Sequence, residues 1–345
     1  MKSAVIHKYG TAHDVLKIEQ LPKPKIKKNE MLIQQYATSV NPIDFRTRSG
    51  YGRVLFPKIR GFTFPLVLGR DVSGVIVEVG SAIKDFKVGD YVYGCNKTKS
   101  QGAYAEYVVV SVDDIAYKPA SLTFNEAASL PYVICTVWDA LVNKAGLNPD
   151  NTKGKRVFIQ GGSGGIGSFA VQLIKAWGGY VATTCSTNHV EKLSELGADH
   201  VIDYKKEDYS LVLSDFDVAL ETIGGTLERK TLSILKHDGH GYFTTLIHPL
   251  LRNFDDNGLI KGGLTNACEY LSKQKDAKAQ GIHYSWATYK PNRVALNHVA
   301  ELIEQGLIKP YINCEFDLSE IVAAHEYCEQ GKSQGKVVIR IHQAI

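Results

Sequence analysis

The chain has 345 residues, 44% of them hydrophobic and 22% charged, with a formal net charge of +4. This is the composition of a globular protein with room for about two domains of ~150 residues, and it excludes disorder and collagen-like structure. The charge is too small and too evenly spread for a nucleic-acid or membrane-surface partner, and no apolar run approaches the ~18 residues that cross a bilayer. The opening residues MKSAVIHKYG lack the apolar stretch of a secretory signal, so the chain is read as cytosolic.

In chain order, the first third reads as short strands between turns: KSAVIHKY, MLIQQYATSV, DVSGVIVEVG, DYVYGC and GAYAEYVVVS. Their β-branched and aromatic content predicts a mostly β domain. From about Phe124 the period changes, and NEAASLPYVICTVWDALVNKAG carries apolar residues at helical spacing, which predicts helix. There follow strand GKRVFIQ, a glycine loop, helix SFAVQLIKAWGG, strand YVATTCS, helix NHVEKLSELGA and strands HVIDY, FDVALETI and GYFTTLI. Strand–helix alternation predicts an α/β parallel sheet covered on both faces. The segments Ser49 to Phe64 and Asn253 to Tyr289 are taken as loops that shape a substrate pocket. Within the second, His283-Tyr284-Ser285-Trp286 either closes a cleft or packs as an aromatic cluster. The tail holds an amphipathic helix, RVALNHVAELIEQGLIKP, and a last strand, KVVIRI, which needs a partner and finds free edges in the β domain. The expected division is 1–127 with 287–345, and 128–286 as an insert.

Cys95, Cys135, Cys185, Cys268, Cys314 and Cys328 never form CxxC pairs and are expected to be buried thiols. The 31 glycines are more telling. In the loop Gly161-Gly162-Ser163-Gly164-Gly165-Ile166-Gly167, Gly162, Gly164 and Gly167 stand in GxGxxG register between a strand and a helix. That context is the one in which side-chain-free turns bring backbone N–H groups to a pyrophosphate at a helix N-terminus. The next strand ends in Cys185 and Ser186, followed by Thr187, Asn188 and His189, with no carboxylate for a ribose 2′-OH. Ser186, Thr187 and His189 therefore read as an NADPH pocket, with Ser186 also a candidate helix cap.

Asn41-Pro42-Ile43-Asp44, the glycine loop and LGADHVIDY from Leu196 to Tyr204 resemble the medium-chain dehydrogenase/reductase superfamily in its zinc-independent quinone-oxidoreductase branch. FPLVLGRDVSGV, AASLPYVICTVWDAL and GIHYSW are most similar to the reticulon-interacting mitochondrial oxidoreductase group, over Ser3 to Ile341. The resemblance implies a GroES-like mostly β catalytic domain around a Rossmann domain, NADPH in the cleft between them, and a homodimer. It places Tyr204 at a position that holds the 2′-phosphate and His189 where relatives carry a lysine, so NADPH affinity is expected to fall as the imidazole loses its proton. It also puts Pro131, Thr136, Gly224 with Gly225, and the run Gly241 to Leu246 with Thr245 and Leu246, beside the cofactor.

Zinc-dependent relatives use a cysteine and a Gly-His-Glu motif, whereas this chain has Asn41 and Gly69-Arg70-Asp71 at those places, so no metal is expected. Asn41 is expected to face nicotinamide and substrate. Asp44, Arg48, Arg70 and Asp71 either join it in a polar network, or Arg70 and Asp71 form a structural ion pair. By resemblance to enoyl-thioester reductases, Tyr51 is either a proton donor or part of an aromatic wall. The reading that results is an NADPH-dependent reductase passing hydride to a quinone or α,β-unsaturated carbonyl, with Asn41, Tyr51 and Asp44 as catalytic candidates. Its alternatives are an enoyl-thioester reductase and an NADPH-binding partner protein with little turnover.

Overall fold

A computed structural model describes residues 1–96, 101–331 and 333–342. Before residue 120 lie β1 (Lys2–Ile6), β2 (Lys17–Gln20), β3 (Glu30–Val40), β4 (Leu66–Val67), β5 (Asp71–Val79), β6 (Tyr91–Cys95), β7 (Tyr107–Ser111) and β8 (Ile115–Tyr117). The middle supplies β9 (Arg156–Ile159), β10 (Tyr180–Cys185), β11 (His200–Asp203), β12 (Val218–Glu221), β13 (Gly241–Thr245) and β14 (Ile282–Trp286), and the tail β15 (Ile312–Asp317) and β16 (Lys336–Arg340).

β3 is the spine of the first body, in a sheet ordered β15-β16-β3-β5-β6-β8 with β7 also on β3; β2-β1-β4 form a small second sheet. The last strand pairs antiparallel with β3, Val337 opposite Val40 and Arg340 opposite Ala37. This return puts Lys336 one residue from the end of β3 and next to Asn41. The second body is a wholly parallel sheet in the order β11-β10-β9-β12-β13-β14. Its strands are apolar on both faces because helices cover both. Chain direction across the sheet reverses between β9 and β12, so the loops leaving these strands diverge and leave a crevice at their carboxyl ends. The fold is thus a GroES-like β body joined to a Rossmann sheet.

Two stretches differ from the sequence expectation. The helix predicted after Phe124 is broken into Phe124–Ala128, Pro131–Val137 and a wide π turn, Trp138–Lys144. Pro131 has no N–H to continue the first helix and starts the second instead. Leu250–Ala279, taken as loop, is helical except at Gly258, whose φ of 73° and ψ of −176° are open only to glycine. There the chain folds back on itself: a Cβ at Gly262 would lie 2.5 Å from the Asn253 carbonyl oxygen. The Asn253 amide donates to Asn266 at 2.9 Å and Glu269 at 3.1 Å, fixing the hairpin. This helix buries so few side chains that its sequence carries no apolar stripe to read.

His283 to Trp286 is the edge strand β14, and its rings pack: Tyr284 stacks on Phe243 and Trp286 on His248. Of the cysteines only Cys95, Cys135 and Cys185 are fully buried, while Cys268 is exposed and Cys314 and Cys328 are partly buried. Among the described residues no helix is long and apolar enough to cross a membrane.

Candidate active site

A cleft of about 320 Å³ runs between the two bodies, with Gly161, Gly164 to Gly167 and Thr222 on one wall and Asn41, Phe45, Arg46, Tyr132 and Lys336 on the other. A larger groove of about 980 Å³ lies on the first body around Tyr36, Phe124 and Arg340 and touches none of the loop glycines. Size favours the groove, but the cleft sits at the sheet's switch point and holds the polar side chains that could do chemistry.

The loop glycines do different jobs. Gly161 turns the chain at φ 69°. A Cβ on Gly162 would be 2.2 Å from Thr183 Oγ1, and one on Gly167 would be 2.3 Å from the Gly161 carbonyl oxygen. Both are therefore needed for close packing of helix on strand. At Gly164 the nearest atom a Cβ would meet is 3.6 Å away, so its open side faces the cleft and not the protein. Gly164 is also the N-cap of helix Gly165–Ala176, with no side-chain cap on the first-turn N–H groups. Uncapped donors and an open backbone at a helix start form a cradle that fits a pyrophosphate.

At the end of β10, Ser186 begins the turn Thr187–His189 but makes no capping bond, so its hydroxyl is not used as a helix cap. No carboxylate stands beside this turn in the chain, yet the fold brings one: the Thr187 hydroxyl donates to Asp203 at 2.6 Å. Asp203 also accepts the Lys205 N–H at 3.0 Å and lies 3.6 Å from the Lys206 ammonium, and these bonds hold its carboxyl below the usual range. Tyr204 is 57% exposed next to these lysines. Lys205 and Lys206, adjacent to Tyr204 in the chain, are cations of this turn that the sequence reading did not single out.

Glu221, fully buried at the end of β12, accepts the N–H of Ile223 at 2.7 Å, the N–H of Gly224 and the Thr245 hydroxyl at 2.6 Å. Gly224 and Thr245 thus shape the turn beside the cleft, and Leu246 is tied to it through its N–H on the Glu221 carbonyl at 3.0 Å. The Thr136 hydroxyl is spent on the Tyr132 carbonyl at 2.7 Å, and Pro131 is buried at its helix start. Neither lines the cleft, whereas their neighbours Tyr132 and Val133 do.

At the other end of the cleft, Asn41 is held at both ends of its amide. Its Nδ2 donates to Asp71 Oδ2 at 2.7 Å, and its Oδ1 accepts from Lys336 Nζ. Asp71 further accepts from the Ser39 hydroxyl and, at 2.6 Å, from the Tyr132 N–H. The ion pair expected between Arg70 and Asp71 does not form; Asp71 pairs with Lys336 at 3.6 Å, because the return of β16 brings that lysine to the carboxylate. Arg70 instead lies over the Phe62 ring, 5.6 Å from its centre. Lys336 had no signal in the sequence, since nothing local ties residue 336 to residue 41.

Asp44 stands behind Asn41, not in the cleft wall. It accepts the Asn41 N–H at 2.9 Å as the capping-box partner of helix Pro42–Arg48 and receives the Tyr104 hydroxyl at 3.2 Å. Burial pushes its carboxyl up to about 6, against the pull of Arg70. The polar chain continues from Tyr104 to His325 at 3.2 Å, to Arg48 at 3.4 Å and to Glu329 at 2.6 Å. Burial, with the Arg48 charge, holds His325 down at about 3 and neutral. Arg48 is therefore part of an interior strut and not of the cleft wall.

Tyr51 lies in a loop gripped from the other body: Asp255 accepts the N–H of Gly52 at 2.6 Å and of Val54 at 3.0 Å. Its phenol is half-buried and raised chiefly by that burial, and it is not among the residues lining the cleft. Among the described residues no three His, Cys, Asp or Glu side chains stand close enough to hold a metal ion.

A GroES-like body, a Rossmann sheet and a glycine loop at its switch point define a medium-chain dehydrogenase/reductase, and the chain belongs to that superfamily. The alcohol dehydrogenase GroES-like domain matches residues 27–120 and the zinc-binding dehydrogenase family matches residues 196–339. More narrowly, the chain is 41% identical to the mitochondrial NAD(P)H oxidoreductase RTN4IP1 of Danio rerio, over 99% of this chain and 91% of that protein. It is 34% identical to the 2-methylene-furan-3-one reductase of Solanum lycopersicum, over 98% and 79%. Among solved structures it matches the quinone oxidoreductase of Coxiella burnetii with a TM-score of 0.83 at 32% identity, covering 99% of both chains. The cytosolic expectation is overturned, because relatives from fish, mammals and Dictyostelium discoideum are named mitochondrial.

Proposed function

We propose that the chain is an NADPH-dependent reductase that delivers hydride to a quinone or an α,β-unsaturated carbonyl compound. The observation that carries this reading is the open Gly164 at an uncapped helix start, facing a cleft whose far wall is Asn41, Tyr132 and Lys336. Bound NADPH would supply hydride from its nicotinamide ring. Gly161 to Gly167 would hold the pyrophosphate, and Ser186, His189, Tyr204 and Lys205 the 2′-phosphate, while the Thr187 hydroxyl is spent on Asp203, whose charge Lys206 offsets. Asn41 would orient the ring and acceptor, and the stacked pair Tyr132 and Tyr289, 4.6 Å between centres, would back a flat acceptor. Neither Asn41 nor Tyr132 offers a strong base, which suits an acceptor that is already electron-poor. The names of the Solanum lycopersicum and Coxiella burnetii relatives, a 2-methylene-furan-3-one reductase and a quinone oxidoreductase, point the same way.

The test is oxidation of NADPH and of NADH, followed by nicotinamide absorbance, against quinones, enones and enoyl thioesters with a chelator present. Chelator-resistant turnover with preference for NADPH is expected. Tight NADPH binding without turnover on any acceptor would move the reading to a nucleotide-binding partner protein. Turnover of enoyl thioesters lost in Tyr51→Phe would favour the enoyl-thioester reductase, with Tyr51 brought to the cleft by movement of its loop. The homodimer is tested by sedimentation.

A further inference from the structure

The chemistry of its neighbours fixes which way Asn41 points. A lysine ammonium only donates and a carboxylate only accepts, so Lys336 must face the Asn41 oxygen and Asp71 its nitrogen. One Nδ2–H is spent on Asp71 at 2.7 Å; the other is left for a ligand in the cleft that Asn41 lines. Lys336 also donates to the Val40 carbonyl at 3.4 Å and is 3.6 Å from Asp71 Oδ2. Its side chain is only 8% exposed, so the charge stands in a poorly solvated wall, with Asp71, 0% exposed, behind it. The adjoining Gly335 N–H donates at 2.9 Å to the Ser163 carbonyl in the glycine loop, and the Lys336 stem passes 2.7 Å from where a Cβ at Gly165 would be. A single dipeptide at the entry to the last strand therefore ties the glycine loop to Asn41.

We propose that Lys336 is the positioning residue of this cleft: it locks the Asn41 amide with one N–H toward the acceptor and sets a buried positive charge where the reduced acceptor becomes anionic. The inference rests on the reductase reading above. In the step it serves, a C–H bond of the nicotinamide breaks and its electron pair and hydrogen go to the acceptor carbon. The displaced π electrons move to the acceptor oxygen, which later takes a proton from water. Lys336 and Asn41 exchange no atoms; they stabilise the oxyanion in a preorganised site.

The test uses 4-nitrophenol as a probe of that anion in the NADP⁺-loaded protein, with absorbance reporting phenol against phenolate. Wild type should favour the phenolate, lowering the apparent pKa of the bound probe by about one unit. Lys336→Met should abolish that shift and cut kcat roughly 100-fold, with NADPH affinity within about threefold, and Lys336→Arg should restore part of both. A folded Lys336→Met that binds phenolate and turns over like wild type overturns the proposal. If that variant leaves Asp71 unpaired and misfolds, the double variant Asp71→Asn, Lys336→Met removes both buried charges and carries the same expectation. If neither folds, the wild-type titration decides, and phenolate bound no better than phenol refutes the idea. Absence of all turnover in wild type would instead sink the reductase reading, and the probe titration would still judge Lys336.

Discussion

Gly164 separates a binding role for the glycine loop from a packing role. With φ −75° and ψ 168° its backbone is open to any L-residue, and an alanine Cβ would have its nearest contact at 3.6 Å. Gly164→Ala should therefore change the stability of the free protein by no more than ~0.5 kcal/mol. The methyl group would occupy the side from which a phosphate reaches the first-turn N–H groups. Losing one hydrogen bond to a charged group costs about 1.5–3 kcal/mol, so the NADPH Kd should rise roughly 10- to 150-fold. Gly167→Ala is the contrast. Its Cβ would be 2.3 Å from the Gly161 carbonyl oxygen and 2.6 Å from Gly162 Cα, both backbone atoms, so helix and strand must part. Overpacking of this kind costs about 1–3 kcal/mol of stability with or without nucleotide. Thermal unfolding of the free proteins and NADPH fluorescence titration read the two effects separately. Unchanged NADPH affinity in Gly164→Ala, or a stability loss as large as that of Gly167→Ala, would refute the assignment of this loop to pyrophosphate.

Asp44, with its carboxyl at about 6, keeps in the folded state a proton that the unfolded chain has lost above about 4, so its contribution to stability falls as pH rises from 4 to 6, by about 3 kcal/mol in all. His325, held at about 3, acts in the opposite sense, since the unfolded chain binds its proton as pH falls below about 6.5 and the folded chain does not. Asp44→Asn should therefore gain stability relative to wild type between pH 4 and 6 in urea unfolding, and parallel profiles would contradict the buried-carboxyl account. Asp255→Ala should destabilise the protein by ~1–2 kcal/mol and speed hydrogen exchange at Gly52 and Val54, whose N–H groups it holds; unchanged exchange there would dismiss the grip. For the 2′-phosphate, Tyr204→Ala with Lys205→Ala should raise the Kd for NADPH about tenfold and leave that for NADH alone. His189→Ala should also raise the Kd for NADPH more than that for NADH; equal effects on both would remove His189 from the pocket.

Much of the parallel half was legible because its signals are local. An apolar run, glycines at fixed spacing and a helix all lie within about twenty residues of one another, and the same spacing that reads as a motif is what turns the backbone toward a ligand. The first strands were legible for the same reason. The Leu250–Ala279 helix was not, because it is solvated on most of its surface and is held by amide pairs and a glycine contact that leave no apolar period.

The candidate site divides along the same line. Asn41 and the loop glycines could be found from the chain itself, since each is marked by its immediate neighbours. What Asn41 does could not, because its partners Asp71 and Lys336 arrive from 30 and 295 residues away. The polar strut from Asp44 to Glu329 and the meeting of Asp203 with Thr187 are likewise products of strand return and strand order. Local sequence determined which backbone could cradle a nucleotide, because steric freedom is a property of each residue. Only the tertiary structure decided which charges meet in the cleft wall, because Coulomb and hydrogen-bond energies depend on distances in space that chain separation does not encode.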